Sequence, residues 1–480
     1  MKNFVCLILT LAVFTANAQK PSKLKQEALA ETESLTSQIN QTCQILWDYS
    51  ETALKETKSA AFLTALLQSE GFSIEKGVAG MPTAFVGTFG SGSPVIGILA
   101  EYDALPGVGN DPVPLKQSRK DGITSGHGCG HNLFGSASVN AAIILKKLMD
   151  KGKFKGTLKL FGTPAEETLT GKVYMANAGV FDGLDAVLDW HPGQETGVSY
   201  EASIALNNFE IEFFGQAAHG AADPWNGRSA LDAVELMNYG VNLMREHVYP
   251  TTRIHYVIPN AGDAPNVVPE YAKVWYYVRD TSRSNVDKYY DRILKIAEGA
   301  ALGTATTHKV TLITGVHEYN LNKPMLEMLQ ANLQIVGVPK FTGEEQTWAK
   351  KIQQSADKEQ KGFNTEIDLM PDGWEELSPN GGSTDVAEVS FLAPTAGFSV
   401  ATAPQEIPWH SWATSASHGT AAGFKGAVVA TKVLVLSGVD LFTNSKLLAD
   451  AKAYFDEQTQ GKPYKSPIPK DQKVVLPDGQ

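Results

Sequence analysis

The stretch that decides the fold is VIGILAEYD, Val95–Asp103. Val95–Ala100 is an apolar run of strand length, and Glu101, Tyr102 and Asp103 follow it without a break. The same pattern returns twice. Thr157–Phe161 reads as a strand and leads to the adjacent acids Glu166 and Glu167, while Ala186–Leu188 leads to Asp189, Trp190 and His191. Open α/β sheets bind ligands beyond the carboxyl ends of their strands, so three polar clusters placed there are expected to face one crevice.

Working outward, Lys23–Glu70 carries apolar residues at helical spacing and predicts two helices, the second ended by Gly71. Ala84–Phe89 reads as a strand, Ala137–Met149 as a helix and Lys172–Ala178 as another. This alternation predicts an α/β domain around a mainly parallel sheet. Beyond Ile204 the pattern changes. Phe209–Phe213 alternates as a half-exposed strand, and Ala230–Arg245 is an amphipathic helix. Arg253–Ile258 and Ala272–Val278 read as strands, Val286–Gly299 as a helix and Lys309–Ile313 as a strand. The order β-α-β-β-α-β is that of a ferredoxin-like α+β unit. The expected organisation is a catalytic domain at 19–202 and 315–455 with this unit inserted at 203–314. A tail rich in Lys, Pro, Gln and Asp, 456–480, is expected to be extended.

Within 480 residues, 43% are hydrophobic and 19% charged, enough for a sizeable core. The net charge of −11, with no Lys/Arg block, argues against nucleic acid and against a polybasic membrane anchor. Lys2, the apolar Phe4–Phe14 and the small-x-small Ala16-Asn17-Ala18 read as an export signal, 1–18. Cleavage after Ala18 would release a chain without a membrane span into the periplasm or the medium. Cys6 would leave with the signal. Of the remaining cysteines, Cys43 lies in a helical pattern and reads as core, whereas Cys129 lies among glycines and histidines and reads as chemistry.

That cluster is Gly126–Asn132, GHGCGHN, and it precedes the helix expected near Ala137. Its glycines allow close backbone approach, and Cys and His suit a borderline-soft ion such as zinc. Cys129 and His131 alone are a weak signal; two further acids and His191 at the same sheet edge make it a metal site. Glu166 and Glu167 point to opposite sides of an extended chain, so one can bind metal while the other moves a proton. His247, His255, His308 and His317 lack ligand spacing, and His127 reads as a turn residue.

With these residues in place the chain resembles the aminoacylase-type dinuclear metallohydrolases of peptidase clan MH. Within them it is similar to the branch that holds the p-aminobenzoyl-glutamate hydrolases and the amino-acid-conjugate amidohydrolases. The resemblance rests on Glu101–Pro106 (EYDALP), Gly126–Asn132, Pro164–Glu167 (PAEE), Trp190–Gly193 (WHPG), Gly215–His219 (GQAAH), Asn266–Pro269 (NVVP), Ser383–Asp385 (STD) and His410–Trp412 (HSW). It implies two divalent ions, Zn or Mn with Co also tolerated, held by Cys129 as the shared ligand with His131, Glu167, His191 and His410. The choice between His410 and His418 as the last ligand stays open. The resemblance further implies Glu166 as general base, Asp103 as the carboxylate that orients a ligand, and His219 as an oxyanion donor delivered across a dimer. Asn266 and Arg279 would face substrate. Asn132 departs from the Asp that the conjugate hydrolases carry there, which bears on the branch more than on the chemistry.

The expected activity is hydrolysis of an amide bond in an N-acyl or N-aroyl amino acid or dipeptide that bears a free carboxylate, by metal-activated water with Glu166 as base. The inserted domain would dimerise, as a homodimer or within a hetero-oligomer. A non-catalytic or half-competent subunit of a hetero-oligomeric hydrolase and a cysteine hydrolase using Cys129 are the alternative readings.

Overall fold

A computed structural model describes residues 21–477 of the chain; the export-signal reading of 1–18 lies outside the described residues. The N-terminal segment forms α1 (Lys23–Ser34), α2 (Thr36–Tyr49) and α3 (Thr57–Ser69). Where two helices were expected there are three. The chain leaves helical geometry at Leu35 (φ −102°, ψ 6°), whose N–H still reaches the Thr32 and Glu33 carbonyls. There follow β1 (Ser73–Lys76), β2 (Phe85–Ser91), β3 (Val95–Ala100), α4 (His131–Asp150), β4 (Gly156–Gly162), α5 (Gly171–Asn177), β5 (Ala186–Leu188), β6 (His191–Gly193) and β7 (Thr196–Val198).

The helix expected near Ala137 begins at His131. Gly130, in the left-handed region (φ 86°), is its N-cap, so the glycine-rich turn passes directly into helix. Nothing larger fits: a Cβ on Gly130 would lie 2.7 Å from the Pro192 Cβ. His131 therefore rides on the first turn of a long buried helix rather than on a loop, and its position is set by packing.

The insertion comprises β8 (Ala205–Phe214), α6 (Ala230–Met244), β9 (Arg253–Asn260), β10 (Tyr271–Asp280), α7 (Arg283–Thr304) and β11 (Thr307–Val316). Its antiparallel sheet runs β11-β8-β10-β9, and α6 and α7 cover one face of it over a separate core that includes Phe209, Ile211, Met237, Tyr276 and Ile293. Along β10 burial alternates residue by residue, as the period-2 pattern of a half-covered sheet demands.

The chain then returns through α8 (Lys323–Val336), α9 (Gly343–Ser355), β12 (Ile367–Asp368), α10 (Val386–Ser390), β13 (Thr395–Ala396), β14 (Phe398–Ala401), α11 (Trp412–His418), α12 (Ala421–Thr443) and α13 (Ser445–Thr459). The catalytic sheet is six-stranded, β1-β2-β4-β3-β5-β13. Its pairings from β4 through β3 and β5 to β13 are parallel, and those of β1 and β2 antiparallel. The fold is thus α/β with a mainly parallel catalytic sheet and an α+β insertion. The strands β4, β3 and β5 are neighbours, which sets the three polar clusters of the sequence side by side. A small second sheet, β12-β7-β14-β6, continues from that edge and carries His191 at the start of β6.

Helix α12 is long and apolar enough to cross a membrane, but it is largely buried as a core helix against α1, α2, α4 and α8. Beyond Thr459 the chain is extended yet docked. Ile468 is buried, and the Gln472 amide donates to the Leu312 and Ile313 carbonyls at 2.9 and 3.1 Å. A composition that reads as free tail is held here by a few apolar and hydrogen-bonding anchors.

Candidate metal centre

Cys129, ahead of α4, is the hub of the cluster. Its Sγ lies 3.4 Å from His191 Nε2 and 3.3 Å from His410 Nε2, and His410 Nε2 lies 3.6 Å from Glu167 Oε2. Two donor sets share that sulfur: Cys129, His131 and His191, and Cys129, Glu167 and His410, each with its ligand atoms within 4.8 Å of one another. Sequence positions 129 to 410 are brought together by the ends of β4 and β5, the start of α4 and the turn before α11.

The ring tautomers are set by the far nitrogens. His131 Nδ1 donates to Asp103 Oδ1 at 2.9 Å and His191 Nδ1 to the Pro192 carbonyl at 2.7 Å, which turns both Nε2 atoms toward the cluster. Asp103 also accepts the Glu167 N–H at 2.9 Å, so one buried carboxylate aligns two donors. The turn that carries the acids is strained. Ala165 (φ 58°), at its start, occupies the left-handed region without being glycine, as does His410 (φ 54°) in the separate turn before α11. Glu56 braces the first of these by accepting the Ala165 N–H at 3.0 Å.

His418, the other candidate for the last ligand, is fully committed elsewhere: Nδ1 donates to the His127 carbonyl at 2.8 Å and Nε2 pairs with the Thr402 hydroxyl at 3.2 Å. His127 is likewise occupied, by the Leu46 carbonyl and the Asn132 N–H. Asn132 points its amide at the Cys43 and His418 carbonyls and joins neither donor set.

The electrostatics are those of an acidic cluster short of positive charge. Burial, reinforced by Glu167, pushes the Cys129 thiol up to about 12, and burial raises Glu166 to about 7 and Glu167 to about 8. Burial and the neighbouring His131 lower His191 to about 3. His131 moves the other way: burial opposes its charge, but Cys129, Asp103 and Glu101 overcome it and hold the ring well above its usual value. Glu167 Oε1, His131 Nε2 and Glu101 Oε2 are buried without a hydrogen-bond partner. Buried polar atoms without partners are costly, and a thiolate, imidazoles and carboxylates aimed at common points suit divalent cations. The donor set fits a pair of them.

The residues assigned to substrate lie in the insertion. His219 is exposed on the segment between β8 and α6, and its Nδ1 accepts the Ala221 and Ala222 N–H groups at 3.2 and 3.1 Å. The neutral ring therefore carries its proton on Nε2. Asn266 is exposed beside it, its carbonyl accepting the Gly220 N–H. Neither residue belongs to the donor sets within this chain. Arg279 is half-buried at the end of β10, where it bridges the domains: Nη1 donates to Ser383 Oγ at 3.4 Å, the guanidinium faces the Tyr277 ring, and Nε lacks a partner.

The sequence reading missed two side chains that the structure places beside the cluster. Glu101, noted there only as part of a motif, sets Oε2 3.2 Å from His131 Nε2. Lys172, read as an ordinary helical residue, is fully buried against Glu101. Only the acid-after-strand pattern pointed to Glu101; nothing local pointed to Lys172.

An α/β domain with two sulfur-linked donor sets at its strand ends, carrying an α+β insertion, defines the class of two-cation hydrolases. Residues 97–378 match the peptidase family M20/M25/M40, and the chain belongs to that family, whose members are metal-dependent hydrolases acting on amide bonds. It is 36% identical over 455 residues to one of the subunits of p-aminobenzoyl-glutamate hydrolase of Escherichia coli (strain K12), a match covering 89% of this chain and 93% of that one. Two solved structures share the fold at 18% identity. The aminobenzoyl-glutamate utilization protein from Klebsiella pneumoniae superposes with a TM-score of 0.60, covering 88% of this chain and 100% of the other. Bacillus subtilis YXEP, a dinuclear metal binding peptidase from the M20 family, superposes with 0.54, covering 84% and 99%.

Proposed function

We propose that this chain hydrolyses the amide bond of an N-acyl or N-aroyl amino acid, or of a dipeptide, with p-aminobenzoyl-glutamate as the guiding example. The observation that carries the reading is the pair of donor sets joined at Cys129, with Glu166 beside them and outside both. Two divalent cations, Zn or Mn with Co also tolerated, would be held by Cys129, His131, Glu167, His191 and His410, and would polarise the amide carbonyl and acidify water. Glu166, next in sequence to the ligand Glu167, takes the proton of the attacking water and returns it to the leaving nitrogen. Asp103 keeps the His131 ring and the Glu167 backbone in register for this. Arg279, whose planar fork has a free buried N–H, grips the substrate carboxylate, and Asn266 lines the approach. The outward Nε2–H of His219 is suited to an oxyanion, and we place it in the centre of a second subunit, which makes the working unit a dimer. We further read residues 1–18 as removed on export to the periplasm or medium, so mature protein recovered from there should begin at Gln19.

Glu166→Gln is the test. It should bind metal like the wild type and lose turnover by about 10²–10⁴-fold; unchanged turnover would overturn the proton-shuttle role. Survival of activity in EDTA but not in iodoacetamide would instead select Cys129 as nucleophile. A second reading is favoured by the Escherichia coli relative, which is one subunit of its hydrolase: this chain is one half of a hetero-oligomer. Assay of the purified chain alone against p-aminobenzoyl-glutamate and acyl amino acids separates the two, since the first reading requires turnover without a second gene product.

A further inference from the structure

Beneath the cluster lies one cation that the proposed chemistry does not use. Lys172, on the first turn of α5, is completely buried, with Nζ 2.6 Å from Glu101 Oε1 and 2.6 Å from Asp385 Oδ1. Asp385 grips it twice, because its Oδ2 also accepts the Lys172 backbone N–H at 2.9 Å. On the far side, Glu101 holds Oε2 3.2 Å from His131 Nε2, and Glu101, His131 and Glu166 have donor atoms within 4.8 Å of one another. An unbroken line of polar contacts thus runs from Asp385 through Lys172 and Glu101 to His131 and on to Asp103.

Removing an ammonium group from water costs several kcal/mol, and apolar residues of similar volume often serve stability as well or better. Packing alone therefore gives no reason for a lysine here. Its geometry does: without Nζ, Glu101 and Asp385 would be two buried acids with no charge between them, and nothing would hold Glu101 against the ring of His131. We propose that Lys172 is a positioning residue of the metal centre, anchored by Asp385 and holding the Glu101 carboxylate against His131 and Glu166. Through Glu101 it stiffens and charges the His131–His191 side; it touches no reacting atom itself. The inference rests on reading Cys129, His131 and His191 as one cation site.

The test uses the full chain, titrated with Zn²⁺ in competition with a chromophoric chelator, with kcat and KM measured in parallel. Glu101→Gln and Lys172→Met should each weaken one of two Zn²⁺ equivalents by about 10–100-fold, the range for outer-shell partners of a metal, and leave the other unchanged. They should lower kcat with KM almost constant. Lys172→Arg should restore part of the affinity, and the double variant should be no worse than Lys172→Met, because both act in one line of contacts. Two equivalents at wild-type affinity in folded Glu101→Gln would overturn the inference, as would additive losses in the double variant. Glu101→Gln preserves shape and leaves Lys172 paired to Asp385, so it decides the question even where Lys172→Met does not fold. A wild-type chain that takes up no Zn²⁺ overturns the two-cation reading itself; two wild-type equivalents with no effect of Glu101→Gln overturn only the role of Lys172.

Discussion

The catalytic domain and the insertion present functional groups in opposite states. In the catalytic domain Cys129, His131, Glu101 and Asp103 are buried and crowded together, and His131 Nε2, Glu101 Oε2 and Glu167 Oε1 have no hydrogen-bond partner. In the insertion His219 and Asn266 are exposed, and the His219 Nδ1 and the Asn266 backbone carbonyl each accept from local backbone N–H groups. A buried, unsatisfied cluster is a site completed by small cations entering it. An exposed, locally tied imidazole with its Nε2–H free is what the proposed donor across a subunit interface requires. On the proposed reading the first is completed by metal and the second by a neighbouring subunit, so the two halves of the site should fail differently.

The largest expected difference comes from Cys129, the atom both donor sets share. Cys129→Ala should leave fewer than two equivalents of metal by elemental analysis. It should also cost several kcal/mol of transition-state stabilisation, roughly 10³-fold or more in turnover. No substitution in the insertion should change metal content. Loss of metal on replacing His219 would break the division of labour between the domains.

His219→Ala should lower kcat by about 10²–10³-fold, the range for removing one oxyanion donor. Mixing makes the comparison sharper. Cys129→Ala subunits keep His219, and His219→Ala subunits keep an intact centre. If the donor acts across a dimer, inactive Cys129→Ala protein should restore turnover to the His219→Ala protein after subunit exchange. No recovery on exchange, with mixed dimers shown by size and mass, would assign His219 to its own chain.

Arg279 stands between the two regions and should behave as neither. A hydrogen bond to a charged group contributes about 1.5–3 kcal/mol, so Arg279→Ala should raise KM for a carboxylate-bearing amide by about 10–100-fold. The effect should shrink for the matching amide-capped substrate. Equal losses on both substrates would remove Arg279 from carboxylate recognition.

What the sequence disclosed follows the same division. Val95–Ala100 and Ala186–Leu188 are strands with the bounds expected of them, because an uninterrupted apolar run ending in acids has few other meanings. The insertion was legible from its change of period, β-branched and aromatic alternation giving strands and amphipathic stretches giving helices. The start of α4 was not, since glycines around Cys129 and His131 read as turn, and only contact with Pro192 and His418 shows that Gly130 is a helix cap. The break at Leu35 and the short strands of the second sheet are likewise tertiary products, too brief to carry a period of their own. Lys172 was invisible for a deeper reason: its partners Glu101 and Asp385 are remote in the chain, and a helix gives no sign of which lysine it will bury.

The smallest effect is expected where the insertion rejoins the catalytic domain, and it is one of stability. Glu388, at zero exposure in α10, accepts the His317 N–H at 2.6 Å and pairs with the His317 ring at 2.9 Å; the Tyr464 hydroxyl of the C-terminal segment donates to its other oxygen. Burial alone would raise this carboxyl, but the His317 ring and these hydrogen bonds outweigh burial and hold it below its usual 4.5. A carboxyl depressed in the folded state contributes stability that is full above the unfolded value and drains away as pH falls through the folded one. The thermal midpoint should therefore fall more steeply below about pH 4.5 in the wild type than in Glu388→Gln, which has lost that contribution at every pH. Tyr464→Phe should cost about 1–2 kcal/mol near neutral pH and leave metal content and kcat untouched, because the clasp joins the extended C-terminal segment to the domain junction and not to the centre. Parallel acid slopes for wild type and Glu388→Gln would show that the segment is held by the burial of Ile468 and the Gln472 hydrogen bonds alone.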